Sequence, residues 1–117
     1  MRKPSRKTLM KKLDILTREK VFKRDHNKCV RCGRDGSQYQ MHPSHVIGRQ
    51  NKRLRWDTNN VKTLCFICHR WWHDNPTESG EWFKQKYPKR YEYIEAHKNE
   101  IQKTTLPELE RLYETTR

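Results

Sequence analysis

The spacing of apolar residues predicts a helix at the start of the chain and short strands in its middle. Leu9, Leu13 and Leu16 recur at i, i+4 and i+7 among charged residues, which predicts a helix that begins after Pro4 and ends near residues 25–27. The sequence that follows instead contains short β-like stretches, which are separated by Gly, Pro and an Asn-Asn pair. These stretches are residues 39–41, 46–47 and 61–64.

The remainder of the chain is predicted to be helical. Phe66, His69, Arg70 and His73 follow helical spacing until Asn75-Pro76 ends the helix. Two apolar patches predict two further short helices separated by Pro88. The first patch contains Trp82, Phe83 and Tyr87, and the second contains Tyr91, Ile94 and Ile101. A capping-box pattern, Thr105-Leu-Pro-Glu108, predicts the start of a last helix before Leu109.

The charge of the chain indicates a polyanionic partner. The 117 residues carry 27 Lys and Arg against 14 Asp and Glu, a formal net charge of +13. Residues 1–34 hold 13 cations and 3 acids, whereas residues 76–117 hold 8 of each. We therefore expect the N-terminal segment to grip the polyanion and the C-terminal third to serve as packing structure. Neither a membrane span nor a secretory signal is visible, which predicts a cytoplasmic protein.

The cysteines predict a structural metal site. Cys29 and Cys32 form one C-x2-C pair, Cys65 and Cys68 form another, and 32 residues separate the pairs. The alternative is a disulfide framework, but a C-x2-C bridge closes too small a loop to stabilise much. Four thiolates in two such pairs instead suit tetrahedral zinc. A chain with 35% charged and 32% hydrophobic residues also has an energetic need for such a metal, because its apolar core is small.

Four of the six histidines lie in a window of about thirty residues. His69 and His73 are one helical turn apart, so both imidazoles can bind one ion, although either could instead complete a zinc shell or cap the helix. His42 and His45 are i and i+3 on a predicted strand, and a bulge or turn at Pro43 would bring both rings to one pocket. The alternatives are that His42 merely caps the strand and that Asn60 is an ordinary turn residue.

The order of these motifs resembles the HNH endonucleases of the ββα-metal class with a four-cysteine zinc knuckle. The order is C-x2-C, a strand with paired histidines, Asn before an apolar residue, and Leu-Cys-x2-Cys-His. Within the class the chain is most similar to the NinG (Rap) family of phage recombination nucleases. That similarity rests on the basic segment 18–25 before Cys-Val-Arg-Cys-Gly, on Ser-His-Val-Ile-Gly-Arg at 44–49 and, weakly, on Leu-Pro-Glu-Leu-Glu-Arg-Leu at 106–112.

The resemblance implies a role for each matching residue. His45 corresponds to the general base, Asn60 to the residue that holds the loop and orients the base, and His69 to the metal ligand that ends the motif. His42 and His73 fall where further ligands of the catalytic ion would be needed. Two departures are visible: Ser44 stands where the first ligand is usual, and NinG members commonly have Asn at the position of His69. The implied catalytic ion is Mg²⁺, Mn²⁺, Ni²⁺ or Zn²⁺, with a separate structural Zn²⁺ on the cysteines.

We therefore predict an α+β fold, a single HNH nuclease domain over residues 1–117. It comprises a basic N-terminal helix in residues 1–28, a zinc knuckle and ββα-metal core in residues 29–75 and a helical extension in residues 76–117. The predicted substrate is DNA, including branched recombination intermediates, in a bacterial host. Cations predicted to contact DNA are Arg6, Lys7, Lys11, Arg49, Lys52, Arg53 and Arg55. The alternatives are a non-catalytic zinc-ribbon DNA-binding protein, which needs neither His45 nor the His69, His73 pair, and an RNA-binding protein, for which no RNP or KH element is visible.

Overall fold

The structure, a computed structural model, describes residues 4–117 and has an α+β architecture. Residues 1–3, with Arg2 and Lys3 of the predicted basic segment, lie outside the described residues. Six helices flank one two-stranded sheet in the described part of the chain. The elements are α1 (Arg6–Arg24), β1 (Met41–His45), α2 (Lys52–Arg55), a 3-10 turn (Thr58–Asn60), β2 (Val61–Cys65), α3 (Phe66–Asp74), α4 (Pro76–Lys86), α5 (Pro88–His97) and α6 (Leu106–Thr116).

Helix α1 forms where the leucine spacing predicts it. Ser5 caps its first turn by accepting a hydrogen bond from the Thr8 backbone N–H. The apolar face buries Leu9 and Leu13 in a cluster with Trp56 and Leu109, so α6 packs along α1. The helix ends before His26 and Asn27, which both adopt the left-handed conformation and turn the chain toward the first cysteine pair. The neutral C-terminal segment thus supports the basic helix.

The two strands pair in an unbroken antiparallel ladder. Its register runs from Met41 opposite Cys65 to His45 opposite Val61, and Pro43 sits within it opposite Thr63. The predicted bulge or turn at Pro43 is therefore wrong. A two-stranded sheet leaves one edge of each strand unpaired, so a residue without an N–H is tolerated. Residues 46–47 are also not a strand, because they enter the loop that leads to α2.

The main core lies between the sheet, the cysteine cluster and helices α3 to α5. Its buried members include Met41, Leu64, Trp72, Phe83 and Ile94. The predicted breaks are confirmed at the end of α3 and at the end of α4, since a proline follows each. Ile101 was predicted to share the α5 patch, but it follows the helix and is 87% exposed.

Helix α6 begins where the capping-box pattern predicts it. Thr105 occupies the N-terminal cap position, but its side chain makes no capping hydrogen bond.

Among the described residues, no helix combines the length and the apolar character needed to cross a membrane.

Candidate active site and zinc knuckle

The four cysteines converge on one point. Their sulfur atoms all lie within 4.8 Å of one another, and the Cys32 and Cys65 sulfurs are 3.7 Å apart. Zinc with Zn–S bonds of about 2.3 Å places tetrahedral sulfurs about 3.8 Å apart, so the cluster fits this ion. Gly33 closes the first knuckle at φ +83°, and its N–H donates to the Cys29 carbonyl at 2.9 Å. The four residues are therefore positioned for metal binding.

Electrostatics at the cluster also favour a cation. Burial and neighbouring thiols raise the pKa of Cys68 to about 12. Burial opposes ionisation of Cys32 too, but hydrogen bonds, chiefly from the Arg34 backbone and side chain and from Cys29, outweigh it and lower its pKa to about 6. Burial thus disfavours the thiolate of Cys68, and a bound cation would offset that cost. Arg31 and Arg34 donate to the Cys68 and Cys32 sulfurs at 3.4 and 3.1 Å, which offsets part of the thiolate charge.

His45 ends β1 with its ring fixed by a backbone carbonyl. Its Nε2 lies 2.9 Å from the Arg55 carbonyl oxygen. Because a carbonyl only accepts hydrogen bonds, Nε2 must carry the hydrogen and Nδ1 keeps its lone pair. Burial lowers the pKa of His45, and the nearby Arg49 and Lys62 cations lower it further. The imidazole is therefore neutral at pH 7, as a general base requires.

Asn60 holds the segment that follows His45. Its side-chain oxygen accepts from the Ile47 N–H at 2.9 Å, and its amide donates to the Ile47 and Leu54 carbonyls at 3.0 and 3.1 Å. The side chain is fully buried, so these bonds fix the loop between β1 and α2 against β2. Asn60 therefore makes more buried hydrogen bonds than an ordinary turn residue needs.

His42, His69 and His73 form a row of imidazoles. The two Nδ1 atoms of His42 and His69 are 2.8 Å apart, and the two Nε2 atoms of His69 and His73 are 3.1 Å apart. His69 therefore uses opposite sides of its ring for its two neighbours. Apart from the cysteines, no three ligand-type residues in residues 4–117 bring their donor atoms within 4.8 Å of one another. The row therefore offers one facing pair of nitrogens, the Nε2 atoms of His69 and His73, while His42 contacts the other side of the His69 ring.

The facing pair fits a divalent ion. Two imidazole nitrogens bound to one ion at about 2.1 Å lie about 3.0 to 3.4 Å apart, which matches the His69–His73 separation. Burial, together with the neighbouring histidines His73 and His42, lowers the pKa of His69 to about 4. Its ring is consequently neutral and available as a ligand at pH 7.

Comparison with known proteins supports the same class of site. The HNH endonuclease family model matches residues 29–75. Over this segment the chain is similar to the HNH endonucleases. The segment contains both cysteine pairs, all four clustered histidines and Asn60. The match supports a metal-dependent nuclease that acts on DNA, at the level of the family. No match was found among curated proteins or among solved structures.

Three of the four clustered histidines open onto one cleft of about 820 Å³. His45, His69 and His73 line it, whereas His42 does not. Helix α1 forms the opposite wall, and the loop before α2 forms the rim. The remaining lining residues are Lys11, Asp14, Ile15, Thr17, Arg18, Pro43, Gly48, Arg49, Gln50, Lys52 and Arg55. The cleft is thus basic.

The cations predicted to contact DNA fall into two groups. Lys11, Arg49 and Lys52 line the cleft, and Lys7 joins Lys11 and Arg49 in an adjoining pocket of about 370 Å³. The side chain of Arg49 is 61% exposed. The second group is held by protein groups, although Arg55 also lines the cleft and Arg6 the adjoining pocket: Arg6 donates to the Thr104 carbonyl, Arg53 to Asp57, Glu100 and Tyr93, and Arg55 to Asp14. Arg49 shares features of both groups, because it also donates to Asp14.

Sequence reasoning did not assign a role to three residues in or near the cleft. Asp14 and Arg18 share the cleft-facing side of α1 with Lys11, and their i, i+3, i+7 spacing was an available signal. Lys62 had no local signal. It is fully buried in β2, its Nζ donates to the Ser44 hydroxyl at 2.8 Å, and it lies 3.3 Å from the centre of the Trp72 ring. Burial lowers the pKa of Lys62 well below its usual value.

Proposed function

We propose that this protein is a metal-dependent DNA endonuclease with His45 as its general base. The observation that carries the proposal is the fixed ring of His45, whose Nδ1 lone pair is left free in a basic cleft shared with a facing pair of imidazoles. A protein that only binds DNA needs the cysteines and the charge but not this arrangement. The family match to residues 29–75 supports the same class of reaction.

The chain's own residues divide the work of hydrolysis. His45 Nδ1 accepts a proton from the attacking water, and the Arg55 carbonyl stabilises the protonated ring through Nε2–H. Asn60 keeps the end of α2, which carries Arg55, in place through the Leu54 carbonyl. Lys11, Arg49 and Lys52 hold the DNA backbone through its phosphates. Breaking the P–O bond releases a 3′ oxygen, which takes up a proton from solvent.

His69 and His73 would hold the catalytic ion. When bound, a divalent ion stabilises the charge that builds on the phosphate and the leaving oxygen. The resemblance implied His42 as the first ligand, and in the structure its Nδ1 lies 2.8 Å from the His69 Nδ1, the nitrogen that faces away from His73. We assign it instead to the support of His69: it accepts the Nδ1–H hydrogen bond, which leaves the His69 Nε2 lone pair directed at the ion. The donor set of imidazoles does not choose among Mg²⁺, Mn²⁺, Ni²⁺ and Zn²⁺.

We further propose that the DNA substrate is branched. This part of the proposal rests on the resemblance of residues 18–25 and 44–49 to the NinG nucleases. Supercoiled plasmid and a synthetic four-way junction, each supplied with one of the four ions in turn, separate a general nuclease from a junction-specific one. Cleavage of the junction at its branch point, and not of matched linear duplex, is the expected result.

The base is tested by His45→Ala. We expect the cleavage rate to fall by about 10²- to 10⁴-fold while zinc content and DNA affinity stay at parental values. His26→Asn is the matched control, because His26 is exposed, lies outside the cleft and adopts a left-handed conformation that Asn tolerates. Parental cleavage by the His45 variant would overturn the assignment. DNA binding without cleavage under any of the four ions would instead favour the zinc-ribbon binding protein.

A further inference from the structure

Asp14 is an acid in a cleft built for a polyanion. It is the one carboxylate among the cleft-lining residues in the described part of the chain. Its Oδ1 accepts from Arg55 Nε at 3.0 Å and from the Trp56 indole N–H at 2.8 Å. Its Oδ2 accepts from Arg55 Nη2 at 2.7 Å and from Arg49 Nη2 at 2.9 Å. A carboxylate at this place repels phosphate, so its presence calls for a role other than binding DNA.

The two arginines on Asp14 differ in how firmly they are held. Arg55 makes a bidentate pair and its side chain is only 12% exposed, whereas Arg49 makes a single bond and is 61% exposed. An incoming phosphate can therefore draw Arg49 away from Asp14 while Arg55 stays. Asp14 keeps its charge throughout, because the arginines and Trp56 outweigh burial and lower its pKa.

Arg55 links this carboxylate to the general base. Its side chain is held by Asp14, and its backbone carbonyl is the acceptor for His45 Nε2–H. The adjacent Trp56 is held by the same carboxylate and is buried against α1. Asp14 therefore fixes both residues at the end of α2 to the helix that walls the cleft.

We propose that Asp14 is a positioning residue: by holding Arg55, it places the carbonyl that sets the tautomer and orientation of His45. This inference rests on the proposed nuclease function and adds a residue of α1 to it. It predicts opposite effects on binding and on catalysis. Loss of the Asp14 charge should leave DNA affinity unchanged or raise it, because phosphate repulsion falls and Arg49 is released. It should also slow cleavage, because the base is no longer held.

The test is Asp14→Asn, which keeps the shape of the side chain and removes its charge. Glu114→Gln is the matched control, because it makes the same carboxylate-to-amide change next to a single arginine, Arg117, on α6 outside the cleft. Three quantities are measured on zinc-loaded protein: DNA affinity, the single-turnover cleavage rate at saturating DNA, and the ¹⁵N chemical shifts of the His45 ring. Thermal unfolding sets the assay temperature at which each variant is folded.

We expect Asp14→Asn to cleave about 10- to 100-fold more slowly at parental or tighter affinity, with the His45 shifts moving away from a pure Nε2–H tautomer. The control should match the parent in all three. A slower rate that only follows weaker binding, or unchanged His45 shifts, would overturn the proposal. The His45 chemical shifts are measured without DNA, so they test the role of Asp14 even if the parent protein has no nuclease activity. Absence of nuclease activity in the parent would refute the proposed function alone.

Discussion

Replacing Asn60 with alanine tests how firmly the base-bearing loop is held. The change removes three hydrogen bonds from a fully buried side chain and leaves the Ile47 N–H and the Ile47 carbonyl unpaired, whereas the Leu54 carbonyl still accepts from the Asp57 N–H. Each buried polar group left unpaired costs about 1 to 3 kcal/mol. We therefore expect Asn60→Ala to lower the free energy of unfolding by at least about 2 kcal/mol. That loss is a substantial part of the 5 to 15 kcal/mol typical of whole domains.

The assay is urea denaturation at a fixed excess of zinc, followed by tryptophan fluorescence. Trp56 and Trp72 are buried and report on the two apolar clusters. Asn59→Ala is the matched control, because its side chain has no hydrogen-bond partner among residues 4–117, and it should change stability by no more than about 0.5 kcal/mol. A loss below about 1 kcal/mol for Asn60→Ala, with the slope of the transition unchanged, would show that water or loop movement satisfies both Ile47 groups and that Asn60 does not hold the loop in place.

Three further predictions concern the metal, the pH profile and the basic wall. The purified protein should carry one tightly bound zinc on the cysteines, and Cys68→Ser should unfold it; elemental analysis and circular dichroism check this, and a folded zinc-free chain would contradict it. Burial and the cations Arg49 and Lys62 lower the pKa of His45, against the opposing effect of Asp14. We therefore expect kcat/KM to stay high as the pH falls to 6.5 and to decline only below that pH. A decline on the acid side centred above pH 6.5 would contradict this prediction. Lys7→Ala with Lys11→Ala should reduce the slope of log affinity against log salt by about 2, whereas Lys12→Ala with Lys20→Ala, whose side chains face Tyr113 and the Thr116 carbonyl, should not.

Local pattern determined the features that depend on neighbours in sequence. The leucine spacing predicted α1, and each predicted break before Pro76 and Pro88 is where a helix ends. The C-x2-C spacing predicted the cysteine cluster, since the short link holds each pair of sulfurs close and only one long-range contact remains to be made. The i, i+4 spacing likewise placed the His69 and His73 rings face to face, because helix geometry fixes their separation.

Tertiary structure decided which partner each polar side chain meets. Asp14 and Arg55 are 41 residues apart, and nothing in their local sequence marks them as a pair. As a charged residue in a strand, Lys62 would be expected to face solvent, yet α3 and α4 cover it, because Trp72 and Phe83 pack over that face of the sheet. His42 and His69 meet across 27 residues because β1 stays extended through Pro43. Periodicity reports which face of an element is apolar, whereas the chemistry of a site depends on which faces the packing of the whole chain brings together.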